Sequence, residues 1–377
     1  MPKAEDVTRS LVAWYRKQKR DLPWRTARPD PYGIWVCEIM AQQTQIATVA
    51  RYWTRWMDRF PTPAALAAAP LDDVLAAWAG LGYYARARSL HRAAQEIVAH
   101  HGGRVPDDPE ALEALPGIGR YTAGAIASIA FGCRVAAVDG NVSRVLARLF
   151  GVEDDVRSPR GLATLWQLAG ELVPARAPGD FNQALFDLGA TVCTPRSPTC
   201  LVCPLARTCV ARAQGRQEAL PVLVRRTVVK EVAVDAALVT RADGAWLLAR
   251  RAPSGLYGGL WELPEIAALE AGAARPRVDR SRALAEHVHK LSHRTMHHAV
   301  YATTIAAPPA PTAPYDATRF VDPAELTQIG VSSATSALAA KLRRTRTTPR
   351  GAEPDPWPTK QRRRSSSPKA TRRSSPA

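Results

Sequence analysis

Two carboxylates stand in apolar surroundings where a carboxyl group could do acid–base chemistry. The first is Glu38, within PYGIWVCEIMAQQTQIA. On a helix, its neighbours three and four positions away include Ile34 and Trp35 and no cation, so no salt bridge accounts for it. Because apolar surroundings raise the pKa of a carboxyl group, we predict that Glu38 donates a proton near neutral pH. A glutamate on a partly exposed helix face is the alternative.

The second carboxylate is Asp139, in VDGNVSRVLARLF, between an apolar run at 135–138 and a predicted helix over 142–150. Aspartate is a preferred residue at the N-terminal cap of a helix. The helix dipole also favours the ionised form of such a carboxylate. A cap and a catalytic anion are therefore compatible interpretations of Asp139.

A glycine pair precedes Asp139, in LPGIGRYTAGAIAS. Gly117 and Gly119 separate a short predicted helix from a longer one that begins near Arg120. Glycine permits positive φ angles and close approach to a ligand, and the free amides of the following helix can bind phosphate. An ordinary helix–helix connection is the alternative.

An aromatic pair with two arginines has the residue types of a nucleic-acid contact. Tyr83 and Tyr84 stand in a glycine-rich turn, followed by Arg86 and Arg88. Together they combine stacking surface with partners for phosphate. The alternative is an aromatic core contact beside two solvated arginines.

A polar run, Gln42, Gln43 and Thr44, follows Glu38 on what the pattern predicts to be an otherwise apolar helix. Side-chain amides can hydrogen-bond the edges of bases. This run is what a contact to base edges would require, and we interpret it as a candidate nucleic-acid contact.

Four of the six cysteines have the spacing C-x6-C-x2-C-x5-C: Cys193, Cys200, Cys203 and Cys209. In a reducing compartment such a cluster binds metal in preference to forming disulfides. Four thiolates suit either zinc or a [4Fe–4S] cluster. Zinc sites more often show two short cysteine knuckles, and one, Cys200 with Cys203, is present here. Cys37 and Cys133 are interpreted as core residues.

Length and apolar spacing predict the elements that carry these groups. The chain has 377 residues, which suggests two or three domains. Residues 1–212 are predicted to form a mostly α-helical domain, because apolar side chains recur every three or four positions. Examples are the predicted helices over 71–78, 89–100, 121–131 and 142–150.

The remainder is predicted to form a second domain. Residues 213–227 lack apolar spacing and are interpreted as a linker. Residues 228–342 are predicted to form an α+β domain. Its elements include a β-hairpin with its turn at 242–244, a strand around 298–305 and a helix over 332–342.

Positive charge is concentrated near the end of the sequence. The net charge is +17, and residues 341–377 carry twelve of the 51 lysines and arginines against two acidic residues. This excess favours a polyanionic partner such as nucleic acid, with a solubilising tail as the alternative. Residues 343–377 are too poor in apolar residues to fold and are predicted to be disordered. The sequence has neither a membrane-spanning apolar run nor an apolar signal segment, so we expect a soluble intracellular protein.

Five segments in colinear order resemble the helix-hairpin-helix DNA glycosylases, and within them the adenine DNA glycosylases of the MutY type. They are PYGIWVCEIMAQQTQ, GLGYYARAR, LPGIGRYTAGAI, VDGNVSRVLAR and FNQALFDLGATVC. The resemblance covers nearly all of residues 5–212 and implies a [4Fe–4S] cluster on the loop 193–209. It also implies that Tyr83 and Gln43 wedge into the duplex.

The resemblance implies a division of chemical roles. Glu38 would protonate the adenine, Asp139 would stabilise the cationic sugar, and Tyr121 and Asn141 would support the developing charge. The endonuclease III-like branch has a lysine at the position of Tyr121, whose amine forms a Schiff base and leads to strand cleavage. Tyrosine implies a monofunctional glycosylase. A bifunctional glycosylase/lyase and a non-catalytic DNA-binding iron–sulfur protein are the alternatives.

The second domain resembles the C-terminal domain of the same family, which shares the Nudix fold, through PSGLYGGLWELP at 253–264. Its glutamates do not form the cluster that a Nudix hydrolase uses to hold magnesium, so hydrolysis is not expected. The resemblance implies that Ser292 and His293 recognise 8-oxoguanine from the loop HKLSH. Leu291 stands where the family has phenylalanine.

The resemblance implies a substrate and a location. We expect a monomer that hydrolyses the N-glycosidic bond of adenine paired with 8-oxoguanine or guanine in double-stranded DNA. It would act in a bacterial cytoplasm, at the nucleoid, and not at a membrane. A fragment ending near Arg212 is expected to retain the chemistry.

Overall fold

The N-terminal part of the chain is made of helices. The computed structural model describes residues 2–224, 229–305 and 309–347. The helices predicted over 71–78, 89–100, 121–131 and 142–150 are confirmed, and the second of them begins earlier, at Ala85. In chain order the helices are α1 Ala4–Gln18, α2 Pro31–Ala41, α3 Ile46–Arg59, α4 Pro63–Ala68, α5 Leu71–Trp78, α6 Ala85–His100, α7 Pro109–Ala114, α8 Arg120–Phe131, α9 Gly140–Phe150, α10 Pro159–Leu172, α11 Pro178–Thr191 and α12 Val210–Ala213.

Two apolar cores divide these helices into two lobes. In the first lobe, α2 to α8 pack around the buried rings of Trp35, Trp56 and Trp78. In the second, α1 packs with α9, α10 and α11 around side chains such as Leu146 and Phe181. Each core excludes water from several large side chains, which is the main favourable term in folding.

Local signals start the two helices that carry the carboxylates. Asp30 caps α2 and accepts hydrogen bonds from the amides of Tyr32 and Gly33, at 3.1 and 3.0 Å. Pro31 follows at the first helical position, where its missing N–H costs nothing. Asp139 caps α9 in the same way. The caps thus fix where both helices begin.

Two β-sheets with flanking helices form the C-terminal part, which confirms the α+β prediction. Strand β6 (Arg294–Thr304) pairs in parallel with β1 (Lys230–Leu238) and antiparallel with β4 (Arg277–Asp279) and β5 (Ala285–Lys290). In the other sheet, β2 (Trp246–Arg251) pairs antiparallel with β3 (Trp261–Glu262) and β7 (Tyr315–Val321). The helices are α13 (Ile266–Ala271) and α14 (Ser333–Thr347).

The predicted β-hairpin is wrong beyond its turn. The chain does reverse there, since Leu247 donates its amide to the Val239 carbonyl at 2.9 Å. Strands β1 and β2 then separate, and each completes its hydrogen bonding in a different sheet. The local turn signal was correct, but β1 pairs with the distant strand β6, whereas β2 pairs with β3 and β7.

The segment interpreted as a linker is embedded in the helical domain. Leu220 is 1% exposed, and its carbonyl accepts a hydrogen bond from Arg148 Nε at 2.9 Å. Val156 donates its amide to the Val222 carbonyl at 3.3 Å. The helical domain therefore extends about ten residues past Arg212, and we call residues 216–223 the connector.

Helix α14 continues to Thr347, past residue 343 where composition predicted the tail to begin. Arg343 and Arg344 have good helix propensity, which favours the extension. The rest of the basic tail lies outside the described residues. Within the described ranges, no helix is both long and apolar enough to cross a membrane.

We predict that a fragment ending at Arg212 is less stable than one ending at residue 224. The shorter fragment loses the buried Leu220 side chain, a loss that typically costs about 2–5 kcal/mol. Urea unfolding of the two fragments measures the difference, and Leu220→Ala in the longer one isolates the side-chain contribution. Equal unfolding midpoints would show that the connector does not stabilise the domain.

Candidate active site

The side chain of Glu38 is buried where α2 packs against α8. It lies on α2, is 8% exposed, and accepts a 2.7 Å hydrogen bond at Oε2 from the Tyr121 hydroxyl on α8. The Tyr121 ring packs edge-on against Phe186 of the other lobe, with centroids 5.8 Å apart. Tyr121 therefore holds one carboxyl oxygen and leaves the other for a different partner.

The surroundings of Glu38 favour its protonated form. Burial is the largest effect and raises the pKa of Glu38 to about 7, with a further rise from the charge of Asp139. The Tyr121 hydrogen bond acts in the opposite direction. Burial and the nearby Glu38 charge also hold the pKa of Tyr121 well above its usual value. A carboxyl group of this kind can donate a proton near neutral pH.

Asp139 is held by groups at the start of α9. Its Oδ1 accepts the Val142 amide at 2.7 Å, and its Oδ2 accepts the Asn141 side-chain amide at 3.2 Å. Burial raises the pKa of Asp139 above its ordinary value, while these hydrogen bonds lower it. Asp139 is thus a helix cap, as predicted, and also a largely buried carboxyl group that lines the cavity.

Two buried arginines on α9 connect Asp139 to the cysteine loop, and sequence reasoning missed them. Arg144 donates to Asn141 Oδ1 and to the Cys193 carbonyl, both at 2.8 Å. One turn later, Arg148 donates to the Thr194 carbonyl at 2.7 Å. Two cations four residues apart among apolar positions of a helix are the signal that could have identified them.

One cavity of about 1440 Å³ lies between the lobes and brings the predicted residues together. Its lining includes all four predicted catalytic residues, together with the polar run after α2: Glu38, Tyr121, Asp139, Asn141, Gln42, Gln43 and Thr44. The connector also contributes to the wall, through Leu220 and Leu223 among others. The cavity therefore combines a carboxyl group whose surroundings favour protonation, a second carboxyl group and side-chain amides.

Sequence reasoning missed a second part of the cavity wall, made of Arg20, Trp24 and Arg25. Asp187 is 1% exposed and binds both arginines: Arg20 Nε to Oδ1 and Arg25 Nη1 to Oδ2, each at 2.7 Å. Burial would raise the pKa of Asp187, but the contacts with Arg25 and Arg20 outweigh it and lower the pKa. These partners are more than 160 residues apart in the chain, which hid them from local patterns.

The polar run lies past the end of α2, contrary to the helix that the pattern suggested. The helix ends at Ala41, and Gln43 has a φ of 57°. Gln42 Nε2 is 3.4 Å from Thr122 Oγ1, whereas Gln43 is exposed. A short loop therefore presents Gln43 at the cavity mouth.

Arg86 does not present its guanidinium to phosphate, which corrects the sequence prediction. Its Nη1 donates to three carbonyls at the end of α2, and its Nη2 to two in the glycine-rich turn: Ile39, Met40, Gln42, Leu81 and Gly82, at 2.6–3.1 Å. Burial lowers the pKa of Arg86 to about 10. Arg86 thus fastens the turn that presents Tyr83, which is 47% exposed.

The glycine pair forms the predicted turn between α7 and α8. Gly117 has a φ of +79°, and a Cβ there would lie 2.5 Å from Ser89 Cβ, so the position requires glycine. Gly119 caps α8 and leaves open space around its Cα. The turn therefore has room for a ligand at the start of α8.

The four clustered cysteines share one neighbourhood at the end of the second lobe. Arg148 Nη1 is 3.4 Å from Cys193 Sγ, and the Cys209 thiol is 3.4 Å from the Arg148 carbonyl. Burial, with the charges of the other three thiols, raises the pKa of Cys203 to about 11. In the part of the chain that the structure describes, no three histidine, cysteine or carboxylate side chains are arranged to hold a metal ion. Four adjacent thiols are nevertheless a suitable donor set for an iron–sulfur cluster or zinc.

Ser292 and His293 lie apart from the cavity, at the exposed turn between β5 and β6. Leu291 donates its amide to the Arg294 carbonyl at 2.7 Å and closes this turn. Ser292 Oγ is 3.3 Å from His293 Nδ1. We call residues 289–293 the tip loop. Its polar side chains face outward and can contact a ligand.

Two glutamates of the C-terminal domain are engaged in ion pairs. Arg251 Nε bonds Glu262 Oε1 at 2.7 Å, and its Nη2 bonds Glu265. The Tyr315 hydroxyl also donates to Glu262, at 2.9 Å. Neither carboxylate is free to bind magnesium as a Nudix hydrolase would.

The helical domain matches a class of base-excision repair proteins. Residues 36–168 match the HhH-GPD superfamily base excision DNA repair proteins, and residues 235–341 match the NUDIX domain. A solved structure of a thermostable thymine-DNA glycosylase is similar to the helical domain, with a TM-score of 0.52 and 31% identity. It covers 56% of this chain and 97% of that one.

Similarity to curated relatives indicates which family within this class the chain belongs to. Adenine DNA glycosylase from Homo sapiens is 51% identical over 219 residues, which are 56% of this chain and 40% of that protein. The Mus musculus enzyme is 37% identical over 369 residues, which are 81% of this chain and 72% of that protein. The chain thus spans less than half of the human relative and most of the mouse one. It belongs to the adenine DNA glycosylase family.

We predict that Glu38→Gln removes a pH dependence of stability. The folded protein binds a proton at Glu38 that the unfolded chain releases between the ordinary glutamate pKa and about 7. Wild-type stability should therefore fall as the pH rises through that window, by about 3 kcal/mol at most. Urea unfolding at about pH 5 and about pH 8 measures it. Glu113→Gln, at an exposed position, is the control, and equal pH dependence in both variants would contradict the assignment.

Proposed function

We propose that the protein hydrolyses the N-glycosidic bond of adenine paired with 8-oxoguanine or guanine in double-stranded DNA. The observation that carries this proposal is the pairing of Glu38, bonded to Tyr121, with Asp139 across one cavity. Glycoside cleavage needs an acid for the leaving group and an anion for the positive charge on the sugar. The family supports adenine as the base.

Glu38 supplies the proton that makes adenine a better leaving group. Its pKa of about 7 keeps much of it protonated near neutral pH, as a general acid requires. The Tyr121 hydroxyl fixes the orientation of the carboxyl group. Protonation of the base draws electrons from the glycosidic bond, which then breaks.

Asp139 stabilises the cationic sugar that this cleavage leaves. The Val142 amide and Asn141 hold its carboxylate, and Arg144 holds Asn141 from behind. Because Asp139 is largely buried and its hydrogen-bonding partners are already in place, the attraction between carboxylate and cation is stronger than in water. Water then attacks the sugar and completes the hydrolysis.

The adenine must leave the base stack to reach the cavity, at a cost of about a few kcal/mol. Tyr83 and Gln43 stand exposed on turns beside the cavity and suit the role of wedges that fill the space left behind. The turn of Gly117 and Gly119 would hold a backbone phosphate through the amides at the start of α8.

Reading of the opposite base belongs to the C-terminal domain in this proposal. Ser292 and His293 carry hydrogen-bonding groups at the exposed tip loop, and Leu291 adds an apolar side chain between them and His289. Leucine cannot stack as the family's phenylalanine would. Hydrogen bonding would therefore carry most of the recognition of 8-oxoguanine.

Cys193, Cys200, Cys203 and Cys209 would hold a [4Fe–4S] cluster. When bound, the cluster would crosslink the loop 193–209 through four iron–sulfur bonds. Arg148 would compensate part of its negative charge and tie it to α9.

We also propose that the protein acts as a monomer in the cytoplasm, at the nucleoid.

A single duplex containing one A:8-oxoG pair tests this function. We expect adenine release, with the strand remaining intact until alkali is added, because Tyr121 supplies no amine for a Schiff base. Glu38→Gln is the matched variant and should slow release by about 10²-fold or more while DNA binding survives. Efficient nicking without alkali would favour the bifunctional alternative. Binding without any release by the wild type would favour the non-catalytic one.

Metal analysis tests the cluster. We expect about four iron atoms per chain with broad visible absorbance in protein purified without oxygen. Cys203→Ser should lower the iron content, whereas Cys37→Ser, outside the cluster, should leave it unchanged. Colourless protein with one zinc per chain and full activity would contradict the iron–sulfur assignment.

A further inference from the structure

Two side chains of the helical domain contact the C-terminal domain. Tyr84 is 7% exposed, and its hydroxyl donates a 2.7 Å hydrogen bond to the Val331 carbonyl. One turn further along α6, Arg88 Nη1 donates to the Gly258 carbonyl. Sequence reasoning grouped both with the DNA contacts, but Tyr84 is buried and Arg88 is half-buried against the C-terminal domain. They are interdomain contacts.

The C-terminal domain meets these residues with a close-fitting surface. Leu260 is fully buried in the apolar core of the first lobe. A Cβ on Gly330 would lie 2.8 Å from Leu75 Cβ, so this approach requires glycine. The contact is therefore a packed interface and fixes the two domains in one relative position.

The same contacts lie next to both proposed DNA-reading elements. Tyr84 directly follows Tyr83, the exposed wedge. Gly258 directly follows Tyr257, whose ring lies 6.4 Å from that of His289 at the start of the tip loop. A short path thus runs from Tyr83 through Tyr84 and Arg88 to the tip loop.

We infer that Tyr84 and Arg88 are positioning residues for lesion discrimination, because they set the distance between the wedge and the tip loop. Neither touches the cavity that holds Glu38 and Asp139. Their loss should therefore leave adenine excision opposite guanine unchanged and reduce the preference for 8-oxoguanine. The inference rests on the proposed function. It adds that contacts between the two domains fix the position of the tip loop relative to the wedge.

Single-turnover excision on A:8-oxoG and A:G duplexes tests the inference with full-length protein. Tyr84→Phe and Arg88→Met should each reduce the ratio of the two rates by about two- to tenfold, the effect of losing one hydrogen bond. The rate on the A:G duplex should stay within about twofold in both variants, because neither substitution removes a group that lines the cavity. Arg88→Lys should restore part of the ratio. Arg92→Met, at an exposed position on the same helix, is the control.

A double-mutant cycle distinguishes positioning from a general loss of stability. If Tyr84 acts through the tip loop, Tyr84→Phe should have little further effect on the ratio once Ser292→Ala has removed the reading group. Additive effects, or an unchanged ratio in Tyr84→Phe and Arg88→Met, would overturn the inference. A wild type that excises adenine without preferring 8-oxoguanine would overturn it as well. A wild type that releases no adenine from either duplex would instead refute the proposed function.

Discussion

A carboxyl group kept out of water is the constraint on which the helical domain depends. Glu38 sits behind the ring of Tyr121, and Tyr121 in turn packs against Phe186 of the other lobe. An unpaired, ionised carboxylate in such a place would cost several kcal/mol, so the group binds a proton or a partner instead. The two lobes meet at this point through the Tyr121–Phe186 contact, and the cavity lies between them. The second carboxylate, Asp139, comes from the opposite lobe.

Helix α9 carries much of the remaining organisation. Its N-terminus holds Asp139, its first turns hold Asn141 and Arg144, and the next turn holds Arg148. These side chains reach the cysteine loop through backbone carbonyls and one thiol. A single helix thus connects the proposed anion with the proposed cofactor site. A displacement of this helix would therefore move both Asp139 and the side chains that contact the cysteine loop.

Features with local causes could be predicted from the sequence, and features with distant partners could not. Glu38 was identifiable because its own helix provides the apolar surroundings, and Asp139 because a cap is a local signal. Arg86 was misjudged, because its carbonyl acceptors come from the end of α2 as well as from its own turn. Strands β1 and β2 were paired wrongly for the same reason, since β1 finds its partner only at Arg294.

The hydrogen bond from Arg148 to the Leu220 carbonyl spans 72 residues, and this imposes an order on folding. During synthesis, α9 emerges first, then the cysteine loop, and the connector last. The acceptor for Arg148 is missing until the connector has left the ribosome, so this hydrogen bond cannot form before then. Contacts between such distant residues form late because loop closure is costly in entropy. Closure of the connector over α9 is therefore among the last steps in the folding of the helical domain.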